Sequence, residues 1–271
     1  MKIAAFNVNK MGWKKVNKHF VRRKLIKIVS RYSVVVLLEV MDKHLYALNK
    51  FLRELNKKNK GNPFCMLCSE SLGRTSHKER FAYFYREHEV RIIDSYQYED
   101  YEDVFARNPF ILWFNCPKTV VKDLVLIPVH TQPENTPREL DALDDVVEAV
   151  RQKYTNNIMI LGDFNADKPY LSKRKKKKLR ICHSPYHWLI KDGVKTTTSE
   201  KTDHTYDRIV VFGDHMYDAV VPNSAKPFNF QEAYGLSSHR TQAISDHYPV
   251  EVELKEEVKE DQEEEELEEE E

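Results

Sequence analysis

No apolar run in this sequence is long enough to cross a bilayer; the longest, around Val34 to Val40, already contains Glu39. No Asn-x-Ser/Thr acceptor for glycosylation occurs. Cysteine is scarce, with four in 271 residues: Cys65, Cys68, Cys116 and Cys182. Cys65 and Cys68 are spaced as C-x-x-C, but the surrounding Pro63 to Ser69 reads as a strand. Side chains three apart on a strand leave by opposite faces, so zinc or redox roles are not expected and buried free thiols are. Met1 to Val8 runs directly into an alternating strand pattern, without the basic start and apolar stretch of a secretory leader. An intracellular chain, cytoplasmic or nuclear, is therefore expected, with a secreted protein already stripped of its leader as the alternative.

The formal charge of zero hides an asymmetry. From Lys255 onward there are 12 acidic residues and two lysines, leaving 41 basic and 31 acidic residues in the body, a surplus of about ten positive charges. A basic body suits a polyanion, and nucleic acid is the expected partner. A lysine-rich surface that serves only solubility explains the charge equally well. No membrane association is expected. Glu256 to Glu271 is poor in apolar residues and dense in one charge, so 255–271 is read as a disordered acidic tail on a single body of 1–254.

Within the body, strands are expected at Lys2–Val8, Val34–Val40, Phe64–Ser69, Glu79–Arg86, Arg91–Tyr98, Phe110–Asn115, Leu124–His130, Ile158–Gly162, Arg208–Phe212 and Tyr248–Leu254. Helical spacing marks Asn17–Tyr32, Leu45–Leu55 and the stripe Leu140, Leu143, Val147, Val150 and Tyr154. Thr136 and Glu139 are spaced as a capping box around Pro137. Many strands with a few long helices predict an α/β chain, two packed sheets with helices outside.

Polar residues gather at or beside the ends of these strands: Asn7, Glu39, Glu79, His130, Asp163, Asn165, Asp207, Asp246 and His247. Each alone is explained as a turn, cap or structural residue. As a set they have a chemistry. Carboxylate and amide oxygens such as Glu39, Asn7 and Asp246 suit a hard divalent ion like magnesium. Two histidines, each oriented by a carboxylate, are what phosphodiester hydrolysis requires: one to take a proton from water, one to protonate the leaving oxygen.

The segments KIAAFNV, LLEVMD, LGRTSHKERFAYFYR, LIPVHTQP, ILGDFNAD, TYDRIVV, KPFNFQEAYGL and AISDHYPVEVEL, in order from Met1 to Leu254, resemble the deoxyribonuclease I family of the endonuclease/exonuclease/phosphatase superfamily. That resemblance implies a four-layer αββα sandwich with mainly antiparallel sheets. It also implies dependence on Mg²⁺ or Mn²⁺, structural Ca²⁺, and DNA cleavage leaving 5′-phosphate and 3′-hydroxyl ends. By matching motif, Glu39 and Asn7 would hold the metal with Asp246 nearby. His130 would pair with Glu79 and His247 with Asp207, while Asp163 and Asn165 would meet the scissile phosphate. Which imidazole is acid and which base is open, with His247 as base and His130 as acid preferred. Arg107 would grip a neighbouring phosphate, and Met41, His77 and Thr202 would face DNA.

Several positions depart from the family. Met41 and His77 stand where an arginine and a tyrosine would enter the minor groove, which alters sequence and duplex preference. Both family disulfides are missing: Lys168 and His204 replace one pair, and the loop at Asp100 to Asp103 is shortened. Asp103 and Phe105 keep one expected calcium site, while Lys195 and Thr196 weaken the second. The basic run Lys173 to Lys178 with Arg180 reads as an import signal or a phosphate contact. Met66 and Cys68 stand where an actin-binding strand would fall, so actin binding is not expected and the chain is expected to act as a monomer. The competing readings are a phosphodiesterase of the same superfamily acting on RNA or phosphoinositides, and a non-catalytic DNA-binding protein.

Overall fold

The computed structural model describes residues 1–258. Its strands are β1 (Lys2–Met11), β2 (Val34–Val40), β3 (Phe64–Cys68), β4 (Arg80–Arg86), β5 (Arg91–Gln97), β6 (Phe110–Asn115), β7 (Asp123–His130), β8 (Ile158–Asp163), β9 (Tyr186–Trp188), β10 (Asp207–Phe212), β11 (Lys226–Pro227) and β12 (Val250–Glu253). They form two six-stranded sheets, in the orders β11-β12-β1-β2-β4-β3 and β5-β6-β7-β8-β10-β9. The principal helices are α1 (Trp13–Val16), α2 (His19–Val29), α3 (Tyr46–Lys58) and α4 (Thr136–Lys153). Among the described residues no helix is long and apolar enough to cross a membrane.

Alternation along the central strands explains the layers. In β1, Ile3 and Ala5 pack between the sheets, while Ala4, Phe6 and Val8 pack outward with Val21, Leu25 and Ile28 of α2 and Leu48 and Phe51 of α3. In β7, Leu124 and Leu126 face inward, and Val125 and Ile127 meet Leu140, Leu143 and Val147 of α4. Both faces are covered, so these strands read as continuous apolar runs.

Each sheet holds one parallel pair near its centre, β1 with β2 and β7 with β8, the other pairings being antiparallel. Chain passing between parallel neighbours must cross over, and α2 and α4 are those crossovers. The carboxyl ends of both parallel pairs carry Asn7, Glu39, His130 and Asp163, where open α/β sheets place their ligands.

Gly162 permits the second of these pairs. Its φ is +145°, and a Cβ there would lie 2.0 Å from the Val129 carbonyl oxygen, on the neighbouring strand. His130 is registered with Asp163 in the next row. Gly162→Ala is expected to cost about 3 kcal/mol from overpacking alone, read as a lowered midpoint of thermal unfolding. An unchanged midpoint would show that the strands yield freely there.

Three local expectations are corrected. Thr136 is helical (φ −46°, ψ −50°) rather than capping, because a 3₁₀ turn at Pro133–Asn135 precedes it. Its hydroxyl turns back to the Gln132 carbonyl, and Glu139 accepts from the Gln132 N–H at 3.0 Å, so the capping box is not made. Of the four free cysteines only Cys116 is buried, its thiol pushed up to about 12 by burial; the others are half-buried. The body also extends past 254: the Lys255 N–H donates to Ala219 and the Glu257 N–H to Lys118. The expectation for the rest of the acidic stretch, from 259, lies outside the described residues.

With no disulfide to lose, the thermal midpoint should be the same with and without dithiothreitol. A clear fall on reduction would contradict the free-thiol assignment.

Candidate active site

The site is assembled where β1, β2, β7, β8 and β10 end or begin. Glu39, at the end of β2, has φ +56°, an uncommon backbone for a side chain of its size. Its N–H donates to Glu79 at 3.1 Å, and its carboxylate accepts from the Lys10 N–H at 3.2 Å and from Asn7 Nδ2 at 2.9 Å. Asn7 is fully buried and also donates to Asp163 Oδ2 at 3.1 Å, so one amide ties the two sheets together.

Two imidazole–carboxylate pairs flank Asp163. His130 Nδ1 lies 2.7 Å from Glu79, and His247 Nδ1 lies 2.8 Å from Asp207. The Nε2 atoms of both rings lie 3.6 Å from the same atom, Asp163 Oδ2. Glu79–His130 and Asp207–His247 are thus near mirror images about one buried carboxylate. Asp163 stays well placed because its Oδ1 accepts from the Asn165 N–H at 3.0 Å, with Asn165 itself left-handed (φ +47°).

Electrostatics couples the five groups. Burial alone would lower both histidines; Glu79 instead raises His130, and Asp207 and Asp163 raise His247 well above its usual value. Burial pushes Asp207 up to about 6 despite His247. Burial opposes ionisation of Asp163 as well, but the two imidazoles outweigh it and hold the carboxyl below its usual range. Glu79 is likewise lowered against burial, by His130 and Arg107.

Arg107 Nε lies 2.5 Å from Glu79 yet forms no aligned hydrogen bond, so this is a charge contact; its Nη1 donates to the His130 carbonyl at 3.0 Å. Asp246 is exposed, its Oδ1 4.0 Å from His247 Nε2. Met41 is half-buried, and His77 and Thr202 stand exposed in loops. Asp103 and Phe105 come together, with the guanidinium of Arg74 against them: it donates to Asp103 Oδ2 at 2.7 Å and to the Asp103 carbonyl at 2.6 Å. Arg180 of the basic run is bound by Asp141, Asp144 and Asp145, and Lys176 by Asp192. Those two charges are already compensated within the fold.

Four supporting residues carry no signal specific to the chemistry. Thr196 donates its hydroxyl to Asp207 at 2.8 Å, and Thr131 accepts from Asn165 Nδ2 at 3.1 Å. The Ser245 hydroxyl donates to the Asn7 carbonyl at 2.6 Å and accepts from the His247 N–H at 3.1 Å. Lys15, lowered to about 8 by burial, donates to the Val8 and Asn9 carbonyls and braces the left-handed turn at Asn9 and Lys10. In sequence they are ordinary loop threonines, a serine and one lysine among many.

The Endonuclease/Exonuclease/phosphatase family pattern matches residues 4–247. Deoxyribonuclease-1 of Oryctolagus cuniculus is 43% identical over 261 residues, covering 94% of this chain and 92% of that protein. Deoxyribonuclease-1-like 1 of Homo sapiens is 41% identical over 256 residues, covering 94% and 84%. Among solved structures, the human Nocturnin catalytic domain with bound sulfate superposes with a TM-score of 0.63 at 13% identity, covering 95% of this chain and 94% of that one. D. rerio TDP2 with a single-strand DNA product gives 0.60 at 13% identity, covering 93% and 97%; at such identities these two speak to the fold alone. The paired sheets and the curated relatives agree: the chain belongs to the endonuclease/exonuclease/phosphatase family and, within it, is an enzyme of the deoxyribonuclease I type.

Proposed function

We propose that this chain is a divalent-metal-dependent endonuclease that hydrolyses DNA phosphodiesters to 5′-phosphate and 3′-hydroxyl ends. The observation that carries this reading is Asp163 Oδ2 held 3.6 Å from the Nε2 of two imidazoles, each backed by its own carboxylate. One ring can take the proton of an attacking water while the other protonates the departing oxygen, and Glu79 and Asp207 stabilise each ring when charged. Asn165 and Asp163 stand ready to meet the phosphate. Arg107 brings positive charge beside the Glu79–His130 pair.

The donor set fits a hard divalent cation. Five carboxylates (Glu39, Glu79, Asp163, Asp207 and Asp246) face two imidazoles and one guanidinium, and oxygen donors of this kind suit Mg²⁺ or Mn²⁺. Glu39, Asn7 and Asp246 would hold it; when bound, it polarises the phosphate and neutralises developing charge. Asp163, Asp207 and His247 could also bring ligand atoms within 4.8 Å of one another. His247 Nδ1 and Asp207 are already committed to each other at 2.8 Å, so we assign that pair to proton transfer and keep Asp163 for the phosphate.

Ca²⁺ would use the Asp103 carboxylate and the carbonyls beside it, in competition with Arg74. Millimolar Ca²⁺ should therefore raise the thermal midpoint more in Arg74→Ala than in the parent chain; equal shifts would remove Asp103 from the assignment. Free thiols and the lack of sequons support a reducing compartment, and we take the chain to act as a monomer.

The test of substrate is a parallel assay of plasmid DNA, RNA and phosphoinositides, with nicked plasmid passed to DNA ligase. Nicks that ligase seals directly are expected. Hydrolysis of RNA or inositol lipid with the plasmid untouched would overturn the reading.

A further inference from the structure

Beside the catalytic centre the surface changes character. Met11 and Met41 lie four and two residues beyond Asn7 and Glu39, and the Met41 N–H donates to the Met11 carbonyl at 2.8 Å. A Cβ on Gly12 would lie 2.8 Å from the Met41 carbonyl oxygen, so the loops after β1 and β2 run in close contact. The next residue, Trp13, is 53% exposed, and Tyr46, opening α3, is 67% exposed. Lys50, one turn beyond Tyr46, holds its ammonium 5.3 Å from the Trp13 ring centroid and donates to Asn17. The His44 ring lies 5.7 Å from that of Tyr46.

These rings stand on a rigid base. Asp42 accepts from the Leu48 N–H at 2.8 Å, and Arg80 donates to the carbonyls of Asp42 and Lys43 at 3.0 and 2.9 Å. Residues 8–19 and 43–53 contain no acidic side chain, yet carry Lys10, Lys14, Lys18, Lys43, Lys50 and Arg53. Exposed aromatic rings set among cations are how proteins hold unpaired nucleic acid: bases stack on the rings while cations follow the phosphates. Paired bases offer no free face to such rings. Met41, half-buried between these two loops, has no group that can hydrogen-bond a base edge.

Building on the DNA-cleaving reading, we propose that Trp13 and Tyr46, with Lys50 between them, form a stacking shelf for unpaired bases next to the scissile phosphate. The shelf strengthens the hold on single-stranded DNA selectively over duplex.

The test uses a labelled oligonucleotide, alone and annealed to its complement, with the full chain and its Trp13→Ala, Trp13→Phe and Trp13→Ala/Tyr46→Ala variants. Binding is read by fluorescence anisotropy in EDTA, and cleavage in Mg²⁺. The double variant should lose about tenfold or more in single-strand affinity. It should nick plasmid within about twofold of the parent chain, and Trp13→Phe should keep most of the affinity. Equal losses on single strand and duplex, or no loss on either, would overturn the shelf while leaving the DNA reading standing. A parent chain that cleaves neither form would overturn the DNA reading itself.

Discussion

Replacing His247 or His130 with alanine should lower plasmid nicking by about 10²–10⁴-fold, the usual contribution of one positioned acid or base. Neither ring has a substitute nearby. Asp163, the group closest to both Nε2 atoms, is held ionised and already accepts from Asn7 and Asn165. Removing a ring also leaves a buried carboxylate without its partner, which can cost about 3 kcal/mol. His247→Gln controls for this, since its amide can still donate toward Asp207 but cannot carry a proton through the reaction. Both His247 variants should be equally inactive, with the Gln form the more stable. A variant that folds and keeps near-parental rates in Mg²⁺ would sink the acid–base assignment.

Glu39→Ala should lose at least about 10²-fold in rate, together with its response to added Mg²⁺. Effects of this size follow when even the supporting groups of a metal site are cut. Glu39→Gln tests the charge with less disturbance than alanine, because it keeps the side chain's length and one of the two acceptors that meet Asn7 and Lys10 while removing the negative charge. It should need much higher Mg²⁺ for whatever rate remains. A normal metal titration in either variant would mean that Glu39 is not a ligand.

The fold was legible where burial on both faces left continuous apolar runs, as in Val34–Val40 and Ile158–Gly162. It was illegible where pairing is short: β9 and β11 span three and two residues, too few for any period to register. The capping box failed because a 3₁₀ turn at Pro133–Asn135 precedes the helix and leaves Thr136 already helical. At the site, the strand-end carboxylates and histidines were readable as a chemical set. Their pairing became readable only through the family resemblance, since Glu79 and His130 are 51 residues apart. Thr196 stands out in the sequence only for a weakened calcium site and Ser245 only as part of the AISDHYPVEVEL segment; their hydrogen bonds to Asp207 and to Asn7 and His247 were not readable. A hydroxyl that orients the buried Asp207 carboxylate looks like any other loop threonine until the strands bring the two within 2.8 Å. Arg180 shows the converse, a charge that looked available and is spent on three aspartates of α4.

Supercoiled plasmid incubated with the full chain in Mg²⁺, and separately in EDTA, tests the metal-dependent nuclease most directly. Relaxed circles should accumulate in Mg²⁺ and not in EDTA, with activity returning when Mg²⁺ is restored in excess. Nicking that continues undiminished in EDTA, or plasmid that stays supercoiled in both, would contradict it.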